Sequence, residues 1–233
     1  MAKMVGLSRG LKQEWLDKTV QFVIEGKSET EIRDELNDYL SYEITSLTNI
    51  RKTRELLMNI WVYPYEINDD IRKDALSAYS SNKDGGMPLH WCLMLLKYPV
   101  FVDICGLIGK LTLIQDTFST AWLKDKLFEE WGERTTILHS SDKILQTIKC
   151  LGAIENQAIG TYLIKQRPIL SEGTIRVMVK TVLALKQKAY YELTDFATCP
   201  QMFPFVFDVT HEFIYNAGCF ELSTFGGKTV IAS

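Results

Sequence analysis

The chain has 233 residues, of which 46% are hydrophobic, and it carries a formal net charge of −3 at pH 7. This much apolar material excludes intrinsic disorder, which requires few large apolar residues and a high net charge. The slightly acidic balance excludes a protein that coats nucleic acid with its whole surface, so binding to a phosphate backbone would require a local basic patch.

The first quarter of the chain is predicted to form three short helices. Residues 11–25 place apolar side chains on one helical face, and Gly26 is a suitable stop. Residues 28–31 have the form of a capping box that opens a second helix. A third helix is expected from about residue 45 or 46 to Trp61. Three helices with tight links are typical of a helix-turn-helix unit.

The next stretch is predicted to contain two buried helices and no membrane span. A linker (64–70), a short helix (71–80) and a polar loop (81–86) come before it. Residues 88–114 are strongly apolar but include Lys97, Asp103 and Lys110, whereas a spanning helix tolerates few or no charges. Pro99 divides the stretch into helices over about 88–97 and 99–114.

Residues 117–164 have the chain order of a winged helix. One helix is expected from Phe118 to about residue 131, with Thr117 or Ser119 as its cap, and a second from about 135 to 151. Two short strands around a polar turn then fill residues 153–164. The order of two helices followed by a two-stranded wing therefore predicts a winged helix-turn-helix.

The remainder of the chain is predicted to mix helices and strands. The expected elements are a helix over about 171–192, a strand over 203–209, a helix over 210–217 and a hairpin of strands 219–223 and 228–232. The predicted fold class is all-α with small β hairpins. It comprises a helical N-terminal module (1–86), core helices with the winged helix-turn-helix (87–192) and a C-terminal strand, helix and hairpin (193–233).

Catalytic chemistry is not indicated by the sequence. No phosphate-binding loop, dinucleotide-binding glycine motif, zinc-protease motif or nucleophile elbow occurs. His90, His139 and His211 are too far apart for a local metal site. Five widely spaced cysteines and the lack of an apolar leader predict reduced, mostly buried thiols in a cytoplasmic protein. We expect no enzyme activity, no metal and no cofactor.

Short motifs distributed along the chain resemble one family. The motifs are Leu47-Thr48-Asn49-Ile50-Arg51-Lys52-Thr53-Arg54, Tyr98-Pro99-Val100-Phe101, Ile108-Gly109-Lys110, Gln115-Asp116-Thr117-Phe118, Trp131-Gly132-Glu133-Arg134, Leu151-Gly152-Ala153-Ile154 and Phe225-Gly226-Gly227. Together they resemble the BrxA-type small proteins of BREX phage-defence islands, over roughly residues 8–230. The resemblance implies a helical protein, partly similar to the NusB antitermination fold, that binds DNA as an accessory defence factor.

The helix at 135–151 is the first candidate for a nucleic-acid contact. A rotation of about 100° per residue places the side chains of five polar residues outward. These are Thr135, Thr136, His139, Lys143 and Gln146. Their hydroxyl, amine, imidazole and amide groups suit phosphates and base edges, and Arg134 stands where free helix amides attract phosphate. The alternative is an ordinary solvated helix face.

A second candidate is the basic segment 165–188. It holds six basic residues and one acid, Glu172, for a local charge of +5. Lys165, Arg167, Arg176 and Lys180 are its predicted phosphate contacts, and Arg176, Lys180 and Gln187 are expected on one helix face. The alternative is a solvated face that keeps the protein soluble.

A third candidate is the outer face of the third helix, where Thr48, Asn49 and Lys52 are expected to face outward, with Arg51 and Arg54 close by. The preceding segment 25–43 opposes it, because seven acids and two bases give a local charge of −5. That segment should therefore face away from DNA or meet a basic partner.

The candidate surfaces predict a non-catalytic protein that binds double-stranded DNA, and the resemblance implies that it is an accessory component of a prokaryotic phage-defence (BREX) system. Other defence-system proteins are possible partners, and no membrane is expected. The alternative is a protein-interaction scaffold whose winged helix docks onto a defence-complex partner, using apolar surface around the terminal hairpin. The sequence leaves the oligomeric state and the target sequence open.

Overall fold

The structure is a computed structural model that describes residues 6–81, 86–186 and 188–232. It is mostly helical with small sheets, which confirms the predicted class at this level. The helices are α1 (Gln13–Ile24), α2 (Glu29–Ser41), α3 (Leu47–Trp61), α4 (Asp69–Ser81), α5 (Gly86–Lys97), α6 (Pro99–Leu111), α7 (Thr120–Trp131), α8 (Thr135–Cys150), α9 (Glu172–Ala184), α10 (Leu193–Ala197) and α11 (His211–Ala217), with a 3-10 helix at Pro200–Met202.

The strands are short and form three small sheets within the described residues. They are β1 (Thr117–Ser119), β2 (Ile154–Ala158), β3 (Thr161–Ile164), β4 (Arg167–Pro168), β5 (Tyr190–Glu192), β6 (Phe205–Val206), β7 (Leu222–Phe225) and β8 (Lys228–Ala232). One sheet has the order β1-β3-β2 and another the order β5-β8-β7, both antiparallel. The third is a parallel pair, β4 with β6, which the sequence did not predict.

Local capping signals in the sequence correspond to helix starts in the structure. The Ser28 amide donates to Glu31 Oε2 at 2.8 Å, and the Glu31 amide donates back to Ser28 Oγ at 3.3 Å. Ser119 and Ser171 cap α7 and α9 in the same way, through their hydroxyl oxygens. Because a cap needs only neighbouring residues, these signals can be identified in one sequence.

Elements that depend on distant partners differ from their predictions. Helix α9 ends at Ala184, not near residue 192, and Lys186 has a left-handed φ of 50° that stops the helix. Residues 190–192 instead form β5, which pairs with β8. Phe118, which the sequence analysis assigned to the start of a helix, belongs to strand β1. The predicted strand over 203–209 is shortened to β6.

Some of the sequence predictions fall outside the described residues. The predicted loop over 81–86 is described only at its two ends, where Ser81 belongs to α4 and Gly86 to α5. Gln187, expected on one face with Arg176 and Lys180, also lies outside the described residues.

One hydrophobic core extends through the described chain, from Leu7 to Ile231. Helix α5 lies at its centre, with a nearly continuous buried run from Gly86 to Leu95. No single helix among the described residues is long and apolar enough to cross a membrane. Helices α5 and α6 satisfy that test of length and composition only as a pair, and they are bent by 120° at Tyr98.

A buried hydrogen-bond network joins α5 to three other helices, α1, α3 and α4. Trp61 Nε1 donates to His90 Nδ1 at 3.0 Å, so the second ring nitrogen of His90 carries the proton and donates to Asp17 Oδ1 at 2.9 Å. The Tyr79 hydroxyl donates to the same carboxylate oxygen at 2.8 Å. His90 is fully buried, and burial lowers its pKa although the Asp17 carboxylate opposes the shift.

We expect this network to make stability depend on pH. A base whose folded pKa is lowered contributes stability above its unfolded pKa of about 6.5, and this stability is lost as the pH falls below that value. The free energy of unfolding should fall by up to about 2 kcal/mol between pH 7 and pH 5, as measured by urea denaturation. Asp17 titrates in a lower pH range, because burial raises the pKa of its carboxyl but the hydrogen bond and charge of His90 and the hydrogen bond of Tyr79 lower it by more.

Two histidine variants test the assignment. His90→Gln should remove most of this pH dependence, whereas His211→Gln, at an exposed position on α11, should retain it. An unchanged pH dependence in the His90 variant would contradict the role of the buried ring.

Candidate nucleic-acid interface

Helix α8 presents a polar face to solvent beside the β1-β3-β2 sheet. Its inner side is formed by Ile137, Ile144 and Ile148, which are almost completely buried. Four of the five side chains predicted to face outward are exposed, and the fifth, Lys143, is half-buried. The exposed ones are Thr135, Thr136, His139 and Gln146. Arg134 is also exposed, at the N-cap position of the helix.

The cations of this region are largely free of carboxylate partners. Within the described residues, no carboxylate lies within ion-pair distance of Arg134, Lys143 or Lys149. The acid on the helix, Asp142, is engaged by Lys124 of α7 at 2.8 Å. Residues 134–167 hold five basic and two acidic side chains, a net charge of +3. The face is therefore locally positive in a net acidic protein.

Acidic residues limit this positive region on one side. Glu129, Glu130 and Glu133 precede α8 and are exposed. Lys126 pairs with Glu129 at 2.9 Å, which neutralises one of the three. A polyanion would therefore approach the outer face of α8 and avoid the end of α7.

The turn between β2 and β3 is exposed and contacts the start of α7. Residues 155–160 are exposed, and Ile159 at the tip is fully exposed. Gly160 has a φ of 71°, a left-handed conformation that glycine adopts without strain. The Thr120 amide donates to the Gly160 carbonyl at 2.8 Å, which fixes the turn against the start of α7.

The basic segment 165–188 does not form one basic surface. Lys165 pairs with Glu155 at 3.2 Å, and Lys188 pairs with Asp195 at 2.6 Å. The Arg167 side chain lies over Gly152, just beyond the end of α8. The four predicted contacts of this segment thus divide between the α8 side, with Lys165 and Arg167, and the α4–α9 contact, with Arg176 and Lys180.

Lys180 and Arg176 face acidic groups on α4. Lys180 Nζ lies 2.6 Å from Asp74 Oδ2 and 3.3 Å from Asp70 Oδ2. Although burial opposes the charge, these carboxylates raise the pKa of Lys180. Arg176 lines a cavity of about 250 Å³ with Asp74, and its Nε is buried without a hydrogen-bond partner among the described residues. Part of the +5 charge of residues 165–188 is therefore neutralised by carboxylates within the fold.

The third candidate surface lies at the start of α3. Arg51 and Lys52 are exposed there, next to Thr48. Arg54, in contrast, is buried and donates to Glu55 at 2.7 Å and to Asn37 at 2.8 Å. The nearby acidic stretch is partly neutralised by the ion pairs Lys27–Glu35, Arg33–Glu29 and Lys12–Glu43.

The N-terminal segment contributes a residue that the sequence did not single out. Arg9 Nη2 donates to Asn49 Oδ1 of α3 at 2.9 Å. The Leu11 amide donates to Thr147 Oγ1 of α8 at 2.9 Å. A Cβ at Gly10 would lie 2.5 Å from Gln146 Oε1, so the segment packs closely against α8. The glycine at position 10 is the feature of the sequence that could have indicated this contact.

The described residues include five cysteines and side chains that could ligate a metal ion. No group of three or more His, Cys, Asp or Glu side chains among them could hold a metal ion. All five cysteines are free, but only Cys92 and Cys105 are buried, so the expectation of mostly buried thiols is wrong. Burial raises the pKa of the Cys92 thiol to about 12 and that of Cys199 to about 11. These two thiols are therefore protonated at neutral pH.

Comparisons with known proteins give no further identification. The chain matches no protein-family model, no curated protein and no solved structure.

Proposed function

We propose that the chain binds double-stranded DNA through a winged helix-turn-helix formed by β1, α7, α8, β2 and β3. The observation that carries the proposal is the exposed face of α8, whose cations have no carboxylate partner among the described residues. Two further features support it: two helices lie between β1 and β2 in the chain, and the sheet order is β1-β3-β2. In such a motif the second helix, here α8, enters the major groove.

Each part of the surface suits a different part of the duplex. Arg134 and the free amides at the start of α8 would bind phosphate. His139, Lys143 and Gln146 lie further along the outer face, where they would reach base edges or phosphates. The turn at Ile159 and Gly160, between β2 and β3, would contact the backbone or the minor groove.

The wider role that we propose is a non-catalytic accessory component of a BREX-type phage-defence system in the cytoplasm. This part rests on the resemblance of the short motifs to BrxA-type proteins. It requires no metal or cofactor, since phosphate and base contacts are made by side chains and backbone amides alone.

Duplex binding at several salt concentrations tests the proposal. The wild-type chain should raise the fluorescence anisotropy of a labelled random duplex, and log K should fall linearly with log salt. With about five phosphate contacts the slope would be near −4.5. If no binding occurs even at about 0.05 M salt, DNA binding is wrong for this chain.

A protein-interaction scaffold is the second candidate function. The rings of Tyr190 on β5 and Phe225 on the terminal hairpin lie 4.7 Å apart between centroids and are tilted by 39°, and both side chains are exposed. Leu222 extends this apolar surface. A partner bound there would be held by apolar contacts that salt weakens little, which distinguishes this function from phosphate binding.

A further inference from the structure

The N-terminal segment 8–12 lies between α3 and α8 and contacts both helices. Arg9 hydrogen-bonds to Asn49 in the first turn of α3. The next residue, Gly10, packs against the Gln146 side chain of α8, and the Leu11 amide bonds to Thr147. Two consecutive residues of one segment thus contact the two helices that carry separate candidate surfaces.

This arrangement brings the candidate surfaces close together. Asn49 and Gln146 contact adjacent residues of the segment, Arg9 and Gly10, whose Cα atoms are about 3.8 Å apart. Helix α8 has 16 residues and is about 24 Å long, roughly two thirds of one DNA turn. The segment thus joins the start of α3 to the later part of α8, where Gln146 lies.

The charge of Arg9 is not neutralised within the described residues. Its guanidinium donates only to uncharged oxygens, Asn49 Oδ1 at 2.9 Å and the Ser8 carbonyl at 2.6 Å. The carboxylate of Glu43, on the same side of the molecule, is engaged by Lys12 and by Trp15 Nε1. Arg9 is half-buried, so its position is fixed while part of the side chain remains accessible.

We infer that α3, the N-terminal segment and α8 form one phosphate-binding surface for double-stranded DNA, with Arg9 at its centre. The inference rests on the proposed function and extends it, because it joins Arg51 and Lys52 to the α8 surface and adds Arg9 as a contact. A cation fixed between two helices can bind a phosphate at a small cost in side-chain entropy.

Three single variants separate the charge of Arg9 from its structural role. Arg9→Ala removes the cation and its bond to α3, whereas Asn49→Ala removes the bond and leaves the cation. Lys110→Ala is the matched control for charge, because Lys110 is exposed on α6 and has no ion-pair partner among the described residues. Each variant is titrated with a labelled duplex of about two turns at four salt concentrations, and its thermal unfolding is recorded.

Arg9→Ala should weaken binding by about three- to tenfold and reduce the salt slope by about 0.9. Asn49→Ala should weaken binding less and keep the slope, because the cation remains but is no longer fixed, and Lys110→Ala should stay near wild type. If Arg9→Ala behaves like Lys110→Ala while the wild type binds, the inference is overturned and the proposed function stands. Equal weakening by Arg9→Ala and Asn49→Ala with an unchanged slope also overturns it, since Arg9 would then act only structurally. If the wild type itself fails to bind, the proposed function fails.

Discussion

The double variant Arg134→Glu/Lys143→Glu is expected to bind duplex DNA at least about a hundredfold more weakly than the wild type at roughly 0.1 M salt. Each substitution removes a cation from the outer face of α8 and places a carboxylate against the phosphate backbone. The loss of two phosphate contacts should also reduce the slope of log K against log salt by about 1.8. Fluorescence anisotropy with a labelled duplex measures both quantities.

The control must change the net charge equally outside the α8 face. Lys110→Glu/Lys186→Glu does so at an exposed lysine on α6 and another beyond the end of α9, neither of which has an ion-pair partner among the described residues. This variant should keep most of the affinity, because neither lysine belongs to the α8 face and salt at 0.1 M screens exposed charges over about 10 Å. Equal losses in the two double variants would show that net charge, and not the α8 face, governs binding.

Lys180 is unsuitable for such a test. A glutamate at this position would face Asp74 and Asp70, whose carboxylates now pair with the lysine. The resulting repulsion between three carboxylates would destabilise the α4–α9 contact. A loss of DNA binding in that variant would therefore report on folding as much as on phosphate contacts.

Gly109→Ala is expected to lower the free energy of unfolding by about 2–3 kcal/mol. Gly109 lies where α6 packs against the 3-10 helix, and a Cβ at this position would be 1.8 Å from the Pro200 carbonyl oxygen. The obstacle is backbone, so it cannot move aside by a rotamer change. Urea denaturation at neutral pH measures the loss.

The same helix supplies the control for this substitution. A Cβ at Gly106 would lie 3.0 Å from Nε2 of Gln201, the flexible end of a side chain that can rotate away. Gly106→Ala should therefore be nearly neutral or stabilising by up to about 1 kcal/mol, because alanine favours a helix over glycine. If both alanines have the same effect, the close approach of Pro200 is not what requires glycine at 109.

How much of the fold can be predicted from the sequence depends on the range of the interactions. The capping box at Ser28 and Glu31 involves residues three apart, and the structure contains it as predicted. In contrast, the end of α9 was misplaced because residues 190–192 pair with β8, about 40 positions later in the chain. Hydrophobic spacing around Tyr191 does not reveal a partner at that distance.

In the candidate site, too, the sequence reveals local features but not the charged partners that lie far away in the chain. Exposed positions on α8 followed from helix periodicity, because Ile144 and Ile148 define the buried side. The sequence counted Lys180 as an available cation, since its partners lie more than 100 positions earlier on α4. Arg9 was missed for the converse reason, because only the folded chain brings it to Asn49.

The position of β8 has a consequence for how the protein folds. Because β8 lies between β5 and β7, those two strands cannot pair with each other, and their sheet forms only when β8 is in place. The β7–β8 hairpin closes over Gly226 and Gly227, both with positive φ, and such a local turn forms within about 1–10 μs. Pairing with β5 must close a far longer loop and is slower. We therefore expect the hairpin to form first and to dock onto β5 as a unit.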